Sequence, residues 1–250
     1  MFEIEAAQAR SLPSVRLWML GTAARYMVVN IADNETMAIR RSAQLKPARR
    51  RPASVHQFLI VLSGTDPLVW RRIQVPKAYS FWDLHVAIQD AMGWLDYHLH
   101  EFRVIDADQK QIALIGIPTG EEPEDRPCVA GWQVPVSSYF GYGPYHAMPA
   151  LYVYDFGDDW EHLLVYEGLE SAEHALKYPR CVSGARRCPP EDCGGVHGYA
   201  EFLVTIADST HPEHASTLTW VGGHYDPDAF DPHTVVFENP RKRWKIAFER

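Results

Sequence analysis

Three of the four cysteines lie within thirteen residues, and thiolates this close together are candidate ligands for a metal ion. The segment reads Cys181-x6-Cys188-x4-Cys193, and its prolines and glycines exclude a helix or a central strand, which predicts a loop. The spacing differs from the tight pairs of a common zinc site. It is compatible with zinc bound by Cys181, Cys188 and Cys193, with an ordered loop of reduced thiols, or with a redox pair. In the zinc alternative, His162 or His197 would be the fourth ligand.

Two imidazoles stand two residues apart in Trp94-Leu-Asp-Tyr-His98-Leu-His100. If this segment enters a strand, His98 and His100 point to the same face, because side chains alternate with a period of two. Two imidazoles on one face are a fair arrangement for binding a metal. The alternative is that His98 caps the exit of a helix and His100 is a half-buried strand residue.

A third polar cluster reads Tyr154-Asp155-Phe-Gly157-Asp158-Asp-Trp160-Glu-His162. Carboxylates in a tight turn can bind a hard cation, and an imidazole could join them around a softer one. The alternative is a simple turn, in which Asp158 bonds its own backbone, Gly157 supplies a positive φ and Trp160 packs into the core.

Two acidic residues, Glu191 and Asp192, lie between a pair of prolines and a cysteine followed by two glycines. This rigid presentation suits a fixed hydrogen-bond network, and we expect both to face the His98/His100 strand and the Asp155–His162 turn. The clusters then form one polar cleft, built from His98, His100, Asp155, Asp158, His162, Glu191 and Asp192.

The elements that position these residues are predicted from hydrophobic periodicity and turn signals. Predicted strands span 55–62, 69–75, 101–105, 111–115, 151–155 and 162–166, and predicted helices span 81–92, 197–207, 211–221 and a tail from Pro240. Ser80 is the predicted N-cap of helix 81–92 and Gly93 ends it. Strands precede helices, which indicates an α+β domain. We expect a mixed or antiparallel sheet with helix 81–92 across one face and the C-terminal helices at one end.

Charge divides the chain into a basic extension, 1–52, and an acidic α+β domain, 53–250. The extension holds nine Lys/Arg against four Asp/Glu, and the remainder holds fifteen against twenty-eight. The acidic domain would repel a phosphate backbone, which argues against extensive nucleic-acid binding. Arg49, Arg50 and Arg51 could make weak nucleic-acid contacts, although such runs are more typical of solvated linkers. The extension has no sustained period and is predicted to be poorly ordered.

The sequence predicts neither a membrane span nor a secretory signal. No run approaches the roughly 18 apolar residues that a span requires. The apolar segment 17–31 is interrupted by Arg25 and lacks a cleavage signature. We therefore expect a cytoplasmic protein. In that reducing compartment, metal-bound or reduced cysteines are favoured over disulfides.

Several motifs in this order resemble the plasmid pRiA4b ORF-3-like family over residues 54–250. They are Val69-Trp-Arg-Arg-Ile73, Leu84-His-x2-Ile-Gln89 ending in Gly93-Trp94, His98-Leu-His-x-Phe102, Tyr154-Asp-Phe-Gly-Asp-x-Trp-x-His162, Cys188-Pro-Pro-Glu-Asp192 and Tyr225-Asp-Pro-x2-Phe-Asp231. The resemblance implies a single compact α/β roll and a dispensable Cys193. Members are often labelled as resolvase-like passengers of insertion elements and have no established activity. The acidic domain also lacks the nucleophilic serine with supporting arginines that a serine recombinase requires.

These observations lead to three functional hypotheses. The first is an uncharacterised accessory protein of a mobile element, whose polar cleft binds a partner or ligand. The second is a metal-dependent hydrolase or nuclease that uses the same cleft. The third is a structural zinc protein without catalysis, with Cys181 and Cys188 as core ligands. No nucleophile elbow, phosphate loop or dinucleotide fingerprint occurs in the chain.

Overall fold

The computed structural model describes residues 53–106, 108, 110–120, 122, 127–141 and 149–249, and the backbone of two short strands before them. The chain divides into two units, Met1–Arg50 and Arg51–Arg250. In the first unit, β1 (Leu17–Met19) pairs antiparallel with β2 (Tyr26–Val28). The arginines at 49–51 lie outside the described residues, and a domain boundary after residue 52 stays a prediction.

The second unit is built on one open sheet of eight strands. They are β3 (Ser54–Leu62), β4 (Trp70–Pro76), β5 (His100–Ile105), β6 (Gln111–Gly116), β7 (Cys128–Ala130), β8 (Ala150–Tyr154), β9 (Trp160–Ser171) and β10 (Arg180–Ala185). The order across the sheet is β10-β4-β3-β9-β8-β5-β6-β7. All neighbours are antiparallel except β6 and β7, which are parallel, so the sheet is mixed.

In the described part of the chain, four helices accompany the sheet and confirm the predicted α+β class. They are α1 (Phe81–Met92), α2 (Gly195–Ala207), α3 (His214–Trp220) and α4 (Pro240–Phe248). Short 3-10 turns lie at Gly131–Gln133, Val136–Ser138 and Pro232–Thr234. Within the described residues, none of the helices combines the length and the apolar composition that crossing a bilayer requires.

Helix α1 begins and ends where its sequence signals predict. The Asp83 N–H donates to Ser80 Oγ at 3.2 Å, and the Ser80 N–H donates to Asp83 Oδ2 at 2.9 Å, which completes a capping box. Gly93 follows with φ 91°, a left-handed conformation that terminates the helix at little steric cost.

The face of the sheet that α1 covers holds the main core. Residues directly opposite each other in antiparallel strands share a face, so Phe102, Tyr152 and His162 lie on the same side of β5, β8 and β9. The rings of Phe81 and Phe102 meet with centroids 5.0 Å apart, which places α1 on that side. The start of β5, the end of β8 and the end of β10 all lie at one end of this sheet, so their loops converge there.

The segment after Arg180, predicted as a loop, instead begins as the edge strand β10. It pairs only with β4, and its register shifts between Cys181 and Ser183. An edge strand needs hydrogen-bond partners on one side only, and therefore tolerates glycine and irregular pairing better than a central strand does. The remainder of the segment, from Arg186 to Gly194, is irregular as predicted.

Candidate functional site

Three loops at one end of the sheet bring an imidazole and two carboxylates together. His98 lies in the loop from α1 to β5, Asp155 in the β8–β9 turn and Asp192 in the loop from β10 to α2. His98 Nε2 lies 3.0 Å from Asp192 Oδ1 and 3.5 Å from Asp155 Oδ2. Each side chain offers one ligand atom, and the three atoms lie within 4.8 Å of one another. In the described part of the chain, this is the one group of three or more His, Cys, Asp or Glu side chains so arranged.

Asp155 is held by the turn that it begins. Its Oδ1 accepts the N–H of Gly157 at 2.9 Å and that of Asp158 at 3.4 Å, while its own N–H donates to Leu99 O at 2.9 Å. These bonds leave Oδ2 directed at His98. The turn therefore differs from the simple turn considered from the sequence, because Asp155 makes the backbone bonds that were assigned to Asp158. The positive φ belongs to Asp155 (58°) and Asp159 (52°), whereas Gly157 has none.

Asp158 joins the β8–β9 turn to the loop that carries Asp192. Its Oδ2 accepts the N–H of Gly194 at 3.0 Å. The next residue, Gly195, has φ 65°, and a Cβ there would overlap the carbonyl oxygen of Asp158. Glycine is therefore required at this close approach, which fixes the distance between the two loops.

Glu191 connects the same loop to the other two segments. Its Oε1 accepts the Leu95 N–H at 2.7 Å, and the Tyr154 hydroxyl donates to it at 3.2 Å. Trp94 Nε1 donates to Pro189 O at 2.9 Å and ties the loops together a second time. Burial raises the pKa of Glu191 above its ordinary value, against these hydrogen bonds, which favour the charged form. Glu191 is therefore a fixed carboxyl that accepts a proton more readily than an exposed glutamate.

Exposed apolar side chains, which we call the apolar rim, lie next in sequence to the polar residues of this group. Residues of the α1–β5 loop alternate in direction, so that Trp94 is buried while Leu95, Tyr97 and Leu99 point outwards. Leu95 is 59% exposed and Tyr97 is 70% exposed, and Phe156 adds a further side chain that is 51% exposed. Exposed large apolar side chains this close in sequence to a polar group are candidates for a binding surface.

His100 lies in the core and not in the cleft with His98. His98 precedes β5, so the alternation expected for two strand residues does not apply to the pair. The His100 ring stacks on His85 of α1, with centroids 3.4 Å apart and planes 7° from parallel. Burial and the neighbouring His85 lower the pKa of His100 well below its ordinary value. His85 in turn contacts Asp96 Oδ1 and the Tyr152 hydroxyl, each at 2.9 Å.

His162 is also a core residue. Its Nδ1 lies 3.1 Å from Trp160 O and 3.2 Å from Tyr152 O, so Nδ1 carries the proton and donates it to these carbonyls. Its Nε2 is buried without a hydrogen-bond partner among the described residues. Burial lowers the pKa of His162 to about 4, so the ring is neutral near pH 7.

The cysteines are free thiols, and no three of the chemically suitable groups around them form a ligand set among the described residues. Cys181 lies on the edge strand, Cys188 is buried and Cys193 is half-buried. Burial raises the pKa of Cys181 to about 11 and that of Cys193 to about 12, so both are protonated near pH 7. The zinc site predicted on Cys181, Cys188 and Cys193 therefore has no assembled geometry in this part of the chain.

Sequence reasoning missed two residues that organise the region. Tyr154 is buried in β8, and its hydroxyl receives the Tyr97 N–H at 3.0 Å while it donates to Glu191. Arg71 is 1% exposed and donates from Nε to Ala91 O and from Nη1 to Ala185 O. Both residues belong to the motifs described from the sequence. Side chains alternate in direction along β4 and β8, and this alternation would have placed both residues on the face towards the core.

The fold and the site together define an α+β protein with an open mixed sheet and a group of one imidazole and two carboxylates at one end of it. The family model described as "Plasmid pRiA4b ORF-3-like protein" matches residues 54–234, and the chain belongs to this family. The match includes every residue of the cleft and ends before α4.

Two proteins are similar to this chain, one in sequence and one in sequence and fold. The "Uncharacterized protein y4hQ" of Sinorhizobium fredii (strain NBRC 101917 / NGR234) is 38% identical over 178 residues, which cover 71% of this chain and 86% of that protein. The crystal structure of a protein of unknown function, MM3350 from Methanosarcina mazei Go1, is similar with a TM-score of 0.65 and 40% identity. That similarity covers 74% of this chain and 99% of MM3350. The relatives support the fold and the family but assign no activity.

Proposed function

We propose that His98, Asp155 and Asp192 bind a divalent cation, with zinc as the best fit, and that the cation is presented to a ligand in the cleft. One observation carries the proposal: three ligand atoms from three separate loops lie within 4.8 Å of one another. Zinc bound tetrahedrally at about 2.0–2.1 Å separates neighbouring ligand atoms by about 3.3 Å. The distances from His98 Nε2 to the two carboxylates, 3.0 and 3.5 Å, bracket that separation.

The surroundings support a site that is open to a ligand. The Asp192 side chain is 67% exposed, so one side of the group faces solvent. Three protein ligands with an open fourth position are typical of zinc that binds water or a substrate. The apolar rim of Leu95, Tyr97 and Phe156 would contact the ligand or partner that occupies this position.

We also propose that the protein acts in the cytoplasm as an accessory protein of a mobile element. The support for this role is indirect: the matching family is described by a plasmid gene product, and free cysteines suit a reducing compartment. The acidic character of residues 53–250 disfavours a role in which this domain covers a long nucleic-acid backbone.

Metal-assisted hydrolysis is a second candidate function, favoured by the position of Glu191. This carboxyl has a raised pKa, is adjacent in sequence to the ligand Asp192 and is fixed by Leu95 and Tyr154. A carboxylate with a raised pKa beside a metal-bound water can act as its general base. A chromogenic phosphodiester with Zn²⁺ or Mn²⁺ tests this. We expect Glu191→Gln to lower turnover by about a hundredfold while metal affinity is retained. If the metal-loaded protein shows no turnover, hydrolysis is refuted and only the binding function remains.

Calorimetric titration of chelator-treated protein with Zn²⁺ tests the metal proposal. We expect one equivalent to bind, and His98→Ala or Asp192→Asn to weaken binding by at least about tenfold. Asp159→Asn is the matched control, because Asp159 is an exposed acid of the same turn that contributes no ligand atom. It should change the affinity by less than about twofold, which is below 0.5 kcal/mol.

Two results would contradict a metal site formed by His98, Asp155 and Asp192. Folded protein that binds neither Zn²⁺ nor Mn²⁺ would refute the metal proposal. Zinc binding that survives His98→Ala and Asp192→Asn but is abolished by Cys181→Ser and Cys188→Ser would instead support the structural cysteine site.

A further inference from the structure

A second cavity shares no residue with the cleft. Its volume is about 510 Å³, and it is lined by the first turn of α1, the 3-10 turn Gly131–Gln133 and α4. A volume of this size lies within the range of about 300–1,000 Å³ that is usual for small-molecule sites. The side chains that define its chemistry are three tryptophans and two cations: Trp82, Trp132, Trp244, Arg241 and Lys245.

The tryptophans form a fixed aromatic wall. The rings of Trp132 and Trp244 have centroids 4.5 Å apart at 69°, and those of Trp82 and Trp244 have centroids 5.5 Å apart at 88°. Trp82 Nε1 donates to Pro240 O at 3.1 Å, which anchors the start of α4. Trp132 and Trp244 are only half-buried, so part of each indole remains accessible from the cavity. Because the rings stand at steep angles to one another, a planar ligand can stack on one accessible indole and meet the edge of another.

Of the four cations of α4, one pairs with acids of the domain and two line the cavity. Arg243 points towards the domain, where it pairs with Asp90 at 2.7 Å and with Asp96 at 3.4 Å. Arg241 and Lys245, one helical turn apart, line the cavity and are exposed. Within the part of the chain that the structure describes, Arg241 forms no ion pair, and Lys245 makes one contact of 4.0 Å with Glu249.

The acid that lines the cavity is already engaged. Asp83 Oδ2 accepts both the N–H and the hydroxyl of Ser80 at 2.9 Å, as part of the cap of α1. Two cations and one carboxylate line the cavity, so its lining carries a net positive charge within a domain that is otherwise acidic, and it also carries aromatic rings. An anion that carries a planar ring matches both properties.

We propose that this cavity binds a free mononucleotide, with its base stacked on one of the half-buried indoles, Trp132 or Trp244, and its phosphate paired with Arg241 and Lys245. Stacking on aromatic side chains suits any nucleobase, because every base has a π-face. Guanidinium and ammonium groups are the usual partners of phosphate. The acidic domain disfavours a longer strand, whose further phosphates would meet like charge.

Calorimetry of the full chain at physiological salt, with AMP as the probe, tests this proposal. Adenosine lacks the phosphate and ribose 5-phosphate lacks the base, so each should bind at least about tenfold more weakly than AMP. An oligodeoxyadenylate should bind no more tightly than AMP, because its added phosphates find no basic surface.

Charge reversals on α4 locate the site. Arg241→Glu and Lys245→Glu should each weaken AMP binding by at least about tenfold. Lys242→Glu is the matched control, since Lys242 is an exposed cation of the same helix that does not line the cavity. Its effect should stay below about twofold, which is less than 0.5 kcal/mol.

Four results would overturn the proposal. They are the absence of saturable AMP binding, equal binding of ribose 5-phosphate, an equal effect of Lys242→Glu, and tighter binding of the oligonucleotide. An equal effect of Lys242→Glu would indicate a diffuse electrostatic surface in place of a mononucleotide pocket. Tighter binding of the oligonucleotide would indicate a site for single-stranded nucleic acid.

Discussion

At the scale of single residues, Arg71 is a buried cation that has no acidic partner among the described residues. Its Nε donates to Ala91 O at 2.8 Å, and its Nη1 donates to Trp70 O and Ala185 O, each at 2.9 Å. The guanidinium carbon lies 3.7 Å from the centre of the Phe230 ring. Burial lowers the pKa of Arg71, because the charged form loses its hydration. Carbonyl dipoles and an aromatic face thus replace water around a buried cation.

This arrangement predicts that Arg71→Lys destabilises the protein although the charge is kept. An ammonium group cannot reach three carbonyls in the planar geometry of a guanidinium, and it stacks less well on Phe230. Leaving buried acceptors unpaired should lower the free energy of unfolding by about 2–4 kcal/mol in urea titrations. Arg103→Lys is the control, because Arg103 is 35% exposed in its pairs with Glu101 and Glu161, and should cost below about 1 kcal/mol. Equal losses would contradict the role given to Arg71.

Of the seven residues that the sequence grouped into one polar cleft, five lie at one end of the sheet and two lie in the core. His98, Asp155, Asp158, Glu191 and Asp192 meet at one end of the sheet. The sequence pattern could not distinguish His100 and His162 from these five residues. The alternation of side chains along a strand indicates which residues share a face, but not which face is buried. Both rings instead face α1, where stacking on His85 and bonding to carbonyls replace solvent.

At the scale of elements, the cleft depends on the fit between the β8–β9 turn and the start of α2. Gly195 begins α2 and has a left-handed backbone, and its Cα faces the Asp158 carbonyl. The contact holds Asp155 and Asp192, on opposite sides of the cleft, at a distance from which both can reach His98. The separation of the metal ligands is therefore set by backbone packing.

Gly195→Ala should separate these loops. We expect a loss of about 2–4 kcal/mol in the free energy of unfolding, from the left-handed conformation and from the overlap with Asp158 O. Zinc affinity should fall as well, because Asp192 moves away from Asp155. The control is Gly222→Ala, since Gly222 has φ 93° but no atom within 4 Å of an added Cβ. It should show only the conformational cost, about 1–2 kcal/mol, with unchanged zinc affinity in calorimetry.

Most elements could be predicted because their sequences carry local signals. The α1 segment has a cap, helical spacing and a terminal glycine, and β3 and β4 are apolar runs around a turn. β10 and β7 lack such signals: Arg180–Ala185 contains serine and glycine, and Cys128–Ala130 has three residues. Both become strands at the edges of the sheet, because neighbouring strands offer them hydrogen bonds.

At the scale of the whole molecule, buried histidines make the protein sensitive to acid. Burial lowers the pKa of His56 and of His162 to about 4, and lowers that of His100 well below its ordinary value. The unfolded chain has histidine pKa values near 6.5 and so binds more protons than the folded protein between about pH 4 and 6.5. Their stabilising contribution is complete above pH 6.5 and is lost as the pH falls through this window. For His162 alone it amounts to about 3 kcal/mol.

Urea unfolding at a series of pH values measures this loss. His162→Asn keeps a donor near the position of Nδ1 but cannot titrate, so its stability should depend less steeply on pH between about 4 and 6.5. Asp90 and Glu191 have raised pKa values from burial, and these carboxyls offset part of the slope in both proteins. An unchanged slope in His162→Asn would show that His162 does not stay neutral when folded.

The α+β class followed from the sequence, whereas the strand order did not. Runs of strands before helices indicate a sheet covered on one side. The insertion of β3 between β4 and β9 depends on contacts between residues about a hundred positions apart, such as Phe58 with Tyr166. Such pairings are decided by the packing of complete faces, which local periodicity does not encode.

That strand order also has a consequence for synthesis on the ribosome. Of the strands in the eight-stranded sheet, the β3–β4 hairpin emerges first, yet its two outer edges are completed by β9 and β10, which end at Ser171 and Ala185. At about 5–20 residues per second, the hairpin waits on the order of 5–20 s with both edges unpaired. During that interval it is a template for pairing with other chains. The sheet is complete only after its last strands leave the ribosomal exit tunnel. Until then, molecules that bind nascent chains can contact the two open edges of the hairpin.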